Sequence, residues 1–165
     1  MKPLHLGCGN IHLDGWVNID RRYQPGVDKV DNIGILQHCE TTDTIYSCHS
    51  IDHFDRWTYK NVLKRWFDLL NPGGRLYLST PNFEWVVLNY QRTGDLRSMI
   101  GQLYAGQDYA DNVRHWIWDL EMARADLLSV GFISVDLFEP FADDASKLVD
   151  SQGNKRSLNV VATKP

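Results

Sequence analysis

The most constraining feature of the chain is a short link. Only seven residues, 10–16, separate the glycine-rich turn at residues 7–9 from the apolar run that begins at Val17. A parallel crossover between strands normally takes about a dozen residues and includes a helix. Seven extended residues span about 23 Å at ~3.3 Å each, enough to return past a short strand but not to form a covering helix. We therefore expect the first crossover helix to be missing or reduced to a turn. Part of one sheet face then needs cover from Trp16, from residues 83–118 or from the partner subunit of a homodimer.

Short apolar runs alternate with helical patterns along the rest of the chain. A helix is predicted through residues 58–70, where five apolar side chains share one face. Another is predicted from a cap at Asp119 to a stop at Gly131. The predicted strands lie near residues 3–7, 16–20, 27–32, 44–48, 75–80, 132–138 and 157–163. This alternation indicates an α/β fold with a mostly parallel sheet, and the last two strands, which no helix separates, should pair as an antiparallel hairpin.

Length and charge narrow the class of protein. At 165 residues the chain is long enough for one domain, residues 1–165, with a sizeable core. The net charge of −4 and the absence of a Lys/Arg tract disfavour nucleic acid as a partner. Three cysteines, Cys8, Cys39 and Cys48, cannot all pair, as expected of a reduced cytoplasmic protein. The longest apolar stretches are only a few residues, so neither a signal peptide nor a membrane span is predicted.

The first glycines and the first acidic strand end are typical of a nucleoside site. An apolar strand runs into Gly7 and Gly9, and the next strand ends at Asp20. Such glycines let the backbone approach a ligand, and such a carboxylate accepts hydrogen bonds from ribose hydroxyls, although both also occur in plain turns. A dinucleotide is disfavoured because His12 replaces the third glycine. In addition, Asp20 lies only eleven residues beyond Gly9, where such sites place it about twenty residues on.

Taken in order, the motifs resemble those of class I S-adenosylmethionine-dependent methyltransferases. The likeness is greatest to the small "type 11" branch, whose first strand-to-strand link is short, and it covers nearly the whole chain. Besides the first glycines and Asp20, it rests on residues 27–33, on the fourth-strand motif at 45–54 and on the turn and strand at 71–76. Asp52-His53 stands where the family usually has Glu-His.

The resemblance implies a Rossmann-like sheet and S-adenosylmethionine as cofactor. In the family the glycine-rich backbone passes under the methionine portion, the acid after the second strand binds the ribose, and the end of the third strand binds adenine. Carried over motif by motif, the implied cofactor residues are Leu6, Gly7, Cys8, Gly9, Asp20, Asp31, Asn32, Ile33, Cys48 and His49.

Two histidines are candidate catalytic groups. His49 falls where the fourth strand would open onto the transfer site, and it is either a substrate contact or a general base. His115 lies among tryptophans in residues 83–118, which resemble the family's substrate-side insertion and would act as a lid. We expect His53 to orient its loop together with Asp52. The four-residue spacing of His49 and His53 would suit zinc only on a helix, and no Cys-x-x-Cys pair accompanies it, so no metal is predicted.

The function that follows from the resemblance is methyl transfer from S-adenosylmethionine to a small-molecule or saccharide acceptor. Bulk nucleic acid and membranes are not expected as partners. The alternative is a non-catalytic protein that binds the cofactor or regulates another process. It would follow if the missing crossover helix, and a chain that starts at the first strand, left the pocket too open for efficient chemistry.

Overall fold

The computed structural model describes residues 1–165 and contains one seven-stranded sheet. The strands are β1 (Leu4–Leu6), β2 (Val17–Asp20), β3 (Lys29–Val30), β4 (Thr42–Cys48), β5 (Leu70–Pro81), β6 (Ser134–Leu137) and β7 (Ser157–Thr163). The helices are α1 (Tyr59–Leu69), α2 (Phe83–Thr93), α3 (Ile100–Tyr104) and α4 (Leu120–Val130). Short 3-10 turns lie at Ile51–His53, Arg97–Met99 and Ala145–Lys147.

The strand order confirms the predicted fold class. The sheet runs β3-β2-β1-β4-β5-β7-β6. The first five of these strands pair in parallel, and β7 pairs antiparallel with both β5 and β6. The chain is therefore an α/β protein with a mostly parallel, Rossmann-like sheet and an antiparallel C-terminal hairpin. This order brings the carboxyl ends of β1, β2 and β4 side by side, where open α/β sheets bind ligands.

The first crossover contains no helix, as its length predicted. Residues 7–16 form only turns and bends. Asn18 holds the link, because its Oδ1 accepts from the Leu13 N–H at 2.9 Å and its Nδ2 donates to the Leu13 carbonyl at 3.2 Å. A second turn also replaces a helix between β2 and β3, and β3 keeps only two of the six residues predicted for it.

One face of the sheet is covered by α1 and α4. Helix α1 buries Val62, Leu63, Trp66 and Leu69, which recur at helical spacing. Helix α4 begins at the predicted cap, where the Asp119 side chain accepts from a backbone N–H, and it ends at the predicted glycine. The two helices pack against each other and against the buried side chains of β1, β4, β5 and β7. This layer holds most of the core.

Aromatic side chains cover the other face in place of the first crossover helix. Trp16 stacks on Phe141 with ring centroids 5.9 Å apart, and both rings contact Tyr46 of β4. The Tyr46 hydroxyl donates to Asp144 Oδ2 at 2.6 Å, which fastens the β6–β7 loop over the sheet. The expected contribution of Trp16 is therefore present, and the β6–β7 loop supplies cover that the sequence analysis did not anticipate.

The predicted turn at residues 71–74 interrupts a strand rather than preceding it. Leu70 pairs with Thr42 and Arg75 pairs with Thr44, so residues 71–74 bulge out of β5. None of the helices combines the length and hydropathy of a membrane span.

Candidate active site

A cavity of about 270 Å³ lies at the carboxyl ends of β1, β2 and β4. Its walls come from the ends of these strands, the loops that follow them, and residues 109–115 of the segment after β5. The lining residues are Gly7, Gly9, Asp20, Arg21, Arg22, Asn32, Ile33, His49, Ser50, His53, Phe54, Tyr109, Ala110, Asp111 and His115. This is the sheet edge at which α/β proteins hold ligands.

Gly7 and Gly9 both have backbone angles that favour glycine, but the atoms around them differ. Their φ angles are +69° and +54°, in the left-handed region that costs other residues energy. A Cβ on Gly7 would lie 2.1 Å from Ser50 Oγ, so this glycine permits close packing within the protein. A Cβ on Gly9 would meet nothing within 4 Å. Because Gly9 lines the cavity, its bare backbone is the part of the turn that is open to a ligand.

Asp20 is held in a defined orientation at the end of β2. Its Oδ2 accepts from the Gly9 N–H and its Oδ1 accepts from the Arg22 N–H, each at 2.8 Å. Each carboxylate oxygen has a second lone-pair direction. The carboxylate is therefore a fixed, doubly accepting group beside the Gly9 backbone.

The end of β3 forms the next wall. Asn32 and Ile33 line the cavity, and the Asn32 side chain accepts from the Gly34 N–H at 2.9 Å. Asp31 does not line it. One oxygen of Asp31 accepts from the Asn32 N–H at 2.7 Å, and the other pairs with Lys29 Nζ at 2.8 Å. Asp31 thus shapes the backbone of this wall without facing the space inside.

His49 follows β4 in a strained conformation. Its φ of +50° is uncommon for a residue with a side chain, and such strain is concentrated at functional sites. Its backbone N–H donates to the Ser79 carbonyl, and its Nε2 lies 2.8 Å from Ser157 Oγ. Burial is the main cause that lowers the pKa of His49 from 6.5 to about 4, so the imidazole is neutral at pH 7.

The residues after His49 bind the segment that follows β5. His53 Nδ1 lies 3.0 Å from the Val113 carbonyl oxygen, and the His115 N–H donates to the Asp52 carbonyl at 2.9 Å. The side chains of Asp52 and Arg114 form a buried ion pair. Arg114 also donates from Nη1 to two carbonyl oxygens near α3. These contacts place His115 at the rim of the cavity, where its side chain is exposed.

On the β2 side of the cavity, two arginines contact residues 109–111 of the segment that follows β5. Arg21 pairs with Asp111 at 3.0 Å, and the Arg22 guanidinium lies 3.7 Å from the centroid of the Tyr109 ring. Both arginines directly follow Asp20. Residues 109–111 are thereby attached to the strand end that carries the fixed carboxylate.

Four of the residues implied by the resemblance do not line the cavity. Leu6 is a fully buried core side chain of β1. Cys8 is buried beneath the glycine turn, and Cys48 lies near Tyr46 under the β6–β7 loop. Burial is the main cause that raises the pKa of each thiol to about 12, so both are neutral. The fourth, Asp31, forms the ion pair described above.

The other implied residues come together as lining groups: Gly7, Gly9, Asp20, Asn32, Ile33, His49 and His115. The tryptophans beside His115 do not join them. Trp116 packs on Tyr59 of α1 with centroids 4.3 Å apart, and Trp118 donates to Asp126 of α4. They anchor the segment to the core.

Sequence reasoning missed the residues that hold the site together. The position of Arg21 and Arg22 right after an acidic strand end is a usable signal that the sequence analysis left out. Ser157 has no sequence signal, because only the antiparallel return of β7 brings it to His49. No group of three or more His, Cys, Asp or Glu side chains is arranged to hold a metal ion.

Solved structures share this architecture. A possible histamine N-methyltransferase from Thermotoga maritima, described as S-adenosylmethionine-dependent, gives a TM-score of 0.64 at 15% identity, covering 99% of this chain and 82% of that one. The 1,6-didemethyltoxoflavin-N1-methyltransferase of Burkholderia thailandensis, solved with 1,6-didemethyltoxoflavin and S-adenosylhomocysteine, gives 0.64 at 16% identity, covering 98% and 70%. The chain has the fold of S-adenosylmethionine-dependent methyltransferases.

This methyltransferase fold is shared without close sequence similarity. The S-adenosylmethionine-dependent methyltransferase SibL, in its apo form, gives a TM-score of 0.53 at 17% identity. That match covers 86% of this chain but only 36% of SibL, so the chain spans about a third of that relative. No protein-family model matches the chain, and no curated protein has a similar sequence.

Proposed function

We propose that the chain binds S-adenosylmethionine and transfers its methyl group to a small-molecule or saccharide acceptor. The observation that carries this proposal is the pairing of the open Gly9 backbone with the oriented Asp20 carboxylate at the ligand-binding edge of a methyltransferase fold. An exposed glycine backbone suits a close-lying chain, and a fixed carboxylate suits two ribose hydroxyls. The short first crossover agrees with the "type 11" branch, to which we assign the chain.

The cavity residues fit the cofactor part by part. Gly9 would lie under the methionine portion, and a side chain there would fill the space that the ligand needs. Asp20 would accept from the ribose, and the wall formed by Asn32 and Ile33 would receive adenine. When bound, the cofactor supplies an electrophilic methyl group, so the main tasks of the protein are positioning and the exclusion of water.

The histidine end of the cavity is the proposed acceptor side. His49 is a neutral imidazole deep in the wall, suited to accept a hydrogen bond from a hydroxyl or amine, and to accept the proton that a hydroxyl loses when it is methylated. His115, exposed at the rim, is placed to contact an acceptor as it enters. We assign proton acceptance to His49 and acceptor contact to His115.

Residues 83–118 act as the lid in this proposal, within one domain comprising residues 1–165. The segment is anchored in the core by its tryptophans, and residues 109–111 reach over the cavity to Arg21 and Arg22. Closure of such a segment excludes water and aligns the acceptor. A reducing cytoplasmic location suits its three free cysteines.

Two successive measurements test the proposal. The first is a thermal-shift titration with S-adenosylmethionine, S-adenosylhomocysteine and NAD, with Asp20→Ala as the matched variant. We expect stabilisation of the wild type by the first two ligands, with a much smaller effect in the variant. A shift with NAD alone would contradict the cofactor assignment.

The second measurement is transfer of tritiated methyl from the cofactor into a metabolite extract, with boiled protein as the control. Label in a small molecule supports methyl transfer. Saturable cofactor binding with no labelled acceptor at any pH would instead establish the non-catalytic alternative.

A further inference from the structure

The hydrogen bonds of His49 assign its tautomer. Ser157 Oγ lies 2.9 Å from the Ala145 carbonyl oxygen and 2.8 Å from His49 Nε2. A carbonyl can only accept, so the single hydroxyl proton of Ser157 goes to Ala145. Nε2 of His49 must then donate to the serine oxygen. The other ring nitrogen, Nδ1, carries no proton and is a hydrogen-bond acceptor.

The hydrogen bond of His53 assigns the opposite tautomer. Its Nδ1 faces the Val113 carbonyl oxygen at 3.0 Å, so this nitrogen carries the proton. In the neutral ring, Nε2 is then the acceptor. Both rings line the cavity, and neither His49 Nδ1 nor His53 Nε2 is a buried atom that lacks a partner.

No arginine or lysine side chain forms a hydrogen bond with the ring of His49 or His53. The Arg114 guanidinium is buried against Asp52. The guanidinium of Arg21 pairs with Asp111, and that of Arg22 lies on the Tyr109 ring; both arginines follow β2, on the Asp20 side. An anionic group at the histidine end would therefore face two lone pairs without a compensating charge.

We propose that the acceptor presents two hydrogen-bond donors, hydroxyl or amine groups, to Nδ1 of His49 and Nε2 of His53, and carries no negative charge at that end. This inference rests on the proposed function and names the acceptor class for it. It excludes carboxylates and phosphates as the methylated group. Ser157 is a positioning residue, because it acts through His49.

The assignment also specifies where the proton goes. In the proposed transfer the cofactor would supply the methyl group and its sulfur would keep the bonding electron pair. A hydroxyl acceptor would then pass its displaced proton to Nδ1 of His49, whereas an amine acceptor would only donate a hydrogen bond to it. Burial is the main cause of the low pKa of His49, so the ring is neutral and its lone pair is available before transfer. The Asp52 and Asp144 charges raise this pKa, while the Arg114 charge and the protonated form of His53 lower it.

Nitrogen-15 NMR of the ligand-free protein tests the tautomers without any activity. We expect a protonated Nε2 on His49 and a protonated Nδ1 on His53 at pH 7. In Ser157→Ala, the His49 signals should shift toward a mixture of tautomers, while those of His53 stay unchanged. A protonated Nδ1 on His49, or a protonated Nε2 on His53, would overturn the inference.

A matched pair of probes tests the acceptor class. The protein, saturated with S-adenosylhomocysteine, is titrated with ortho-benzenedimethanol and with phthalate, which place two hydroxyls or two carboxylates on the same ring. We expect the diol to shift both histidine signals and to bind about tenfold tighter or more. Equal or tighter binding of phthalate, or no shift with either probe, overturns the inference. Failure to bind S-adenosylhomocysteine would instead reject the proposed function. The tautomer measurement does not depend on that result, because it uses the ligand-free protein.

Discussion

Alanine substitution at Gly7 should mainly lower stability, whereas alanine substitution at Gly9 should mainly weaken ligand binding. Both positions have positive φ, so alanine costs each about 1–2 kcal/mol in the left-handed region. At Gly7 the added methyl would also collide with Ser50, and overpacking costs about 1–3 kcal/mol more. At Gly9 the methyl enters open space inside the cavity, where the cofactor is proposed to lie.

The expected losses of stability rank the two variants, with Gly7→Ala the less stable. Gly7→Ala should lose about 2–5 kcal/mol, which lowers Tm by about 4–20 °C in a domain of this size. Gly9→Ala should lose only about 1–2 kcal/mol, or about 2–8 °C. S-adenosylhomocysteine at a hundred times Kd should add about 2.7 kcal/mol to the wild type. A tenfold weaker Kd in Gly9→Ala removes about 1.4 kcal/mol of that gain.

The assay is thermal unfolding with and without S-adenosylhomocysteine, supported by calorimetric titration. Ser50→Gly in the Gly7→Ala background is the matched control, because it removes both Ser50 atoms that the new Cβ would touch, and it should recover about 1–3 kcal/mol. Wild-type affinity in Gly9→Ala would show that the ligand does not pass this backbone. A Gly7→Ala variant as stable as Gly9→Ala would refute the packing argument.

Three further changes test other parts of the site. Asp20→Asn should weaken S-adenosylhomocysteine binding by about 1.5–3 kcal/mol in calorimetry, because it removes charge-assisted ribose contacts; an unchanged Kd would reject the ribose assignment. Arg114→Met should destabilise by about 3–5 kcal/mol in urea unfolding, because Asp52 is left as an unpaired buried charge, and adding Asp52→Leu should restore much of the loss. The folded-state pKa of His49 is lowered from 6.5 to about 4, so the unfolded chain binds more protons between those values. Stability should therefore fall by up to about 3 kcal/mol as the pH drops through that window, and His49→Gln should flatten this dependence.

The fold was predictable because local patterns determine its layers. Apolar spacing along residues 59–69 and the cap at Asp119 located both core helices correctly. The length of residues 10–16 excluded a crossover helix on geometric grounds, and none is present. The cover of the other face was less predictable. Phe141 reaches Trp16 only because the long β6–β7 loop folds back over the sheet, a contact between distant parts of the chain.

The candidate site was predictable only where its residues follow strands directly. Gly9, Asp20 and His49 each end a strand or follow one, so the parallel sheet brings them to one edge. Cys48 directly precedes His49 in the same motif, yet its side chain does not line the cavity. Side chains two residues apart on a strand share one face of the sheet, so Cys48 lies on the face that carries Tyr46. Ser157 and Arg114 contact the site through long-range hydrogen bonds that leave no periodic signal in the sequence.

The two attachments of the proposed lid differ in burial, which indicates how it would open. On the β2 side, the Arg21 and Asp111 side chains are 64% and 53% exposed, and an ion pair in water contributes about 0–1 kcal/mol. On the β4 side, the Asp52 and Arg114 side chains are only 0% and 4% exposed, and hydrogen bonds of His53 and His115 hold the same segment. Residues 109–111 should therefore release first, while the histidine end stays assembled. The proposed cofactor side would then open for exchange without disturbing the histidine tautomers proposed to select the acceptor.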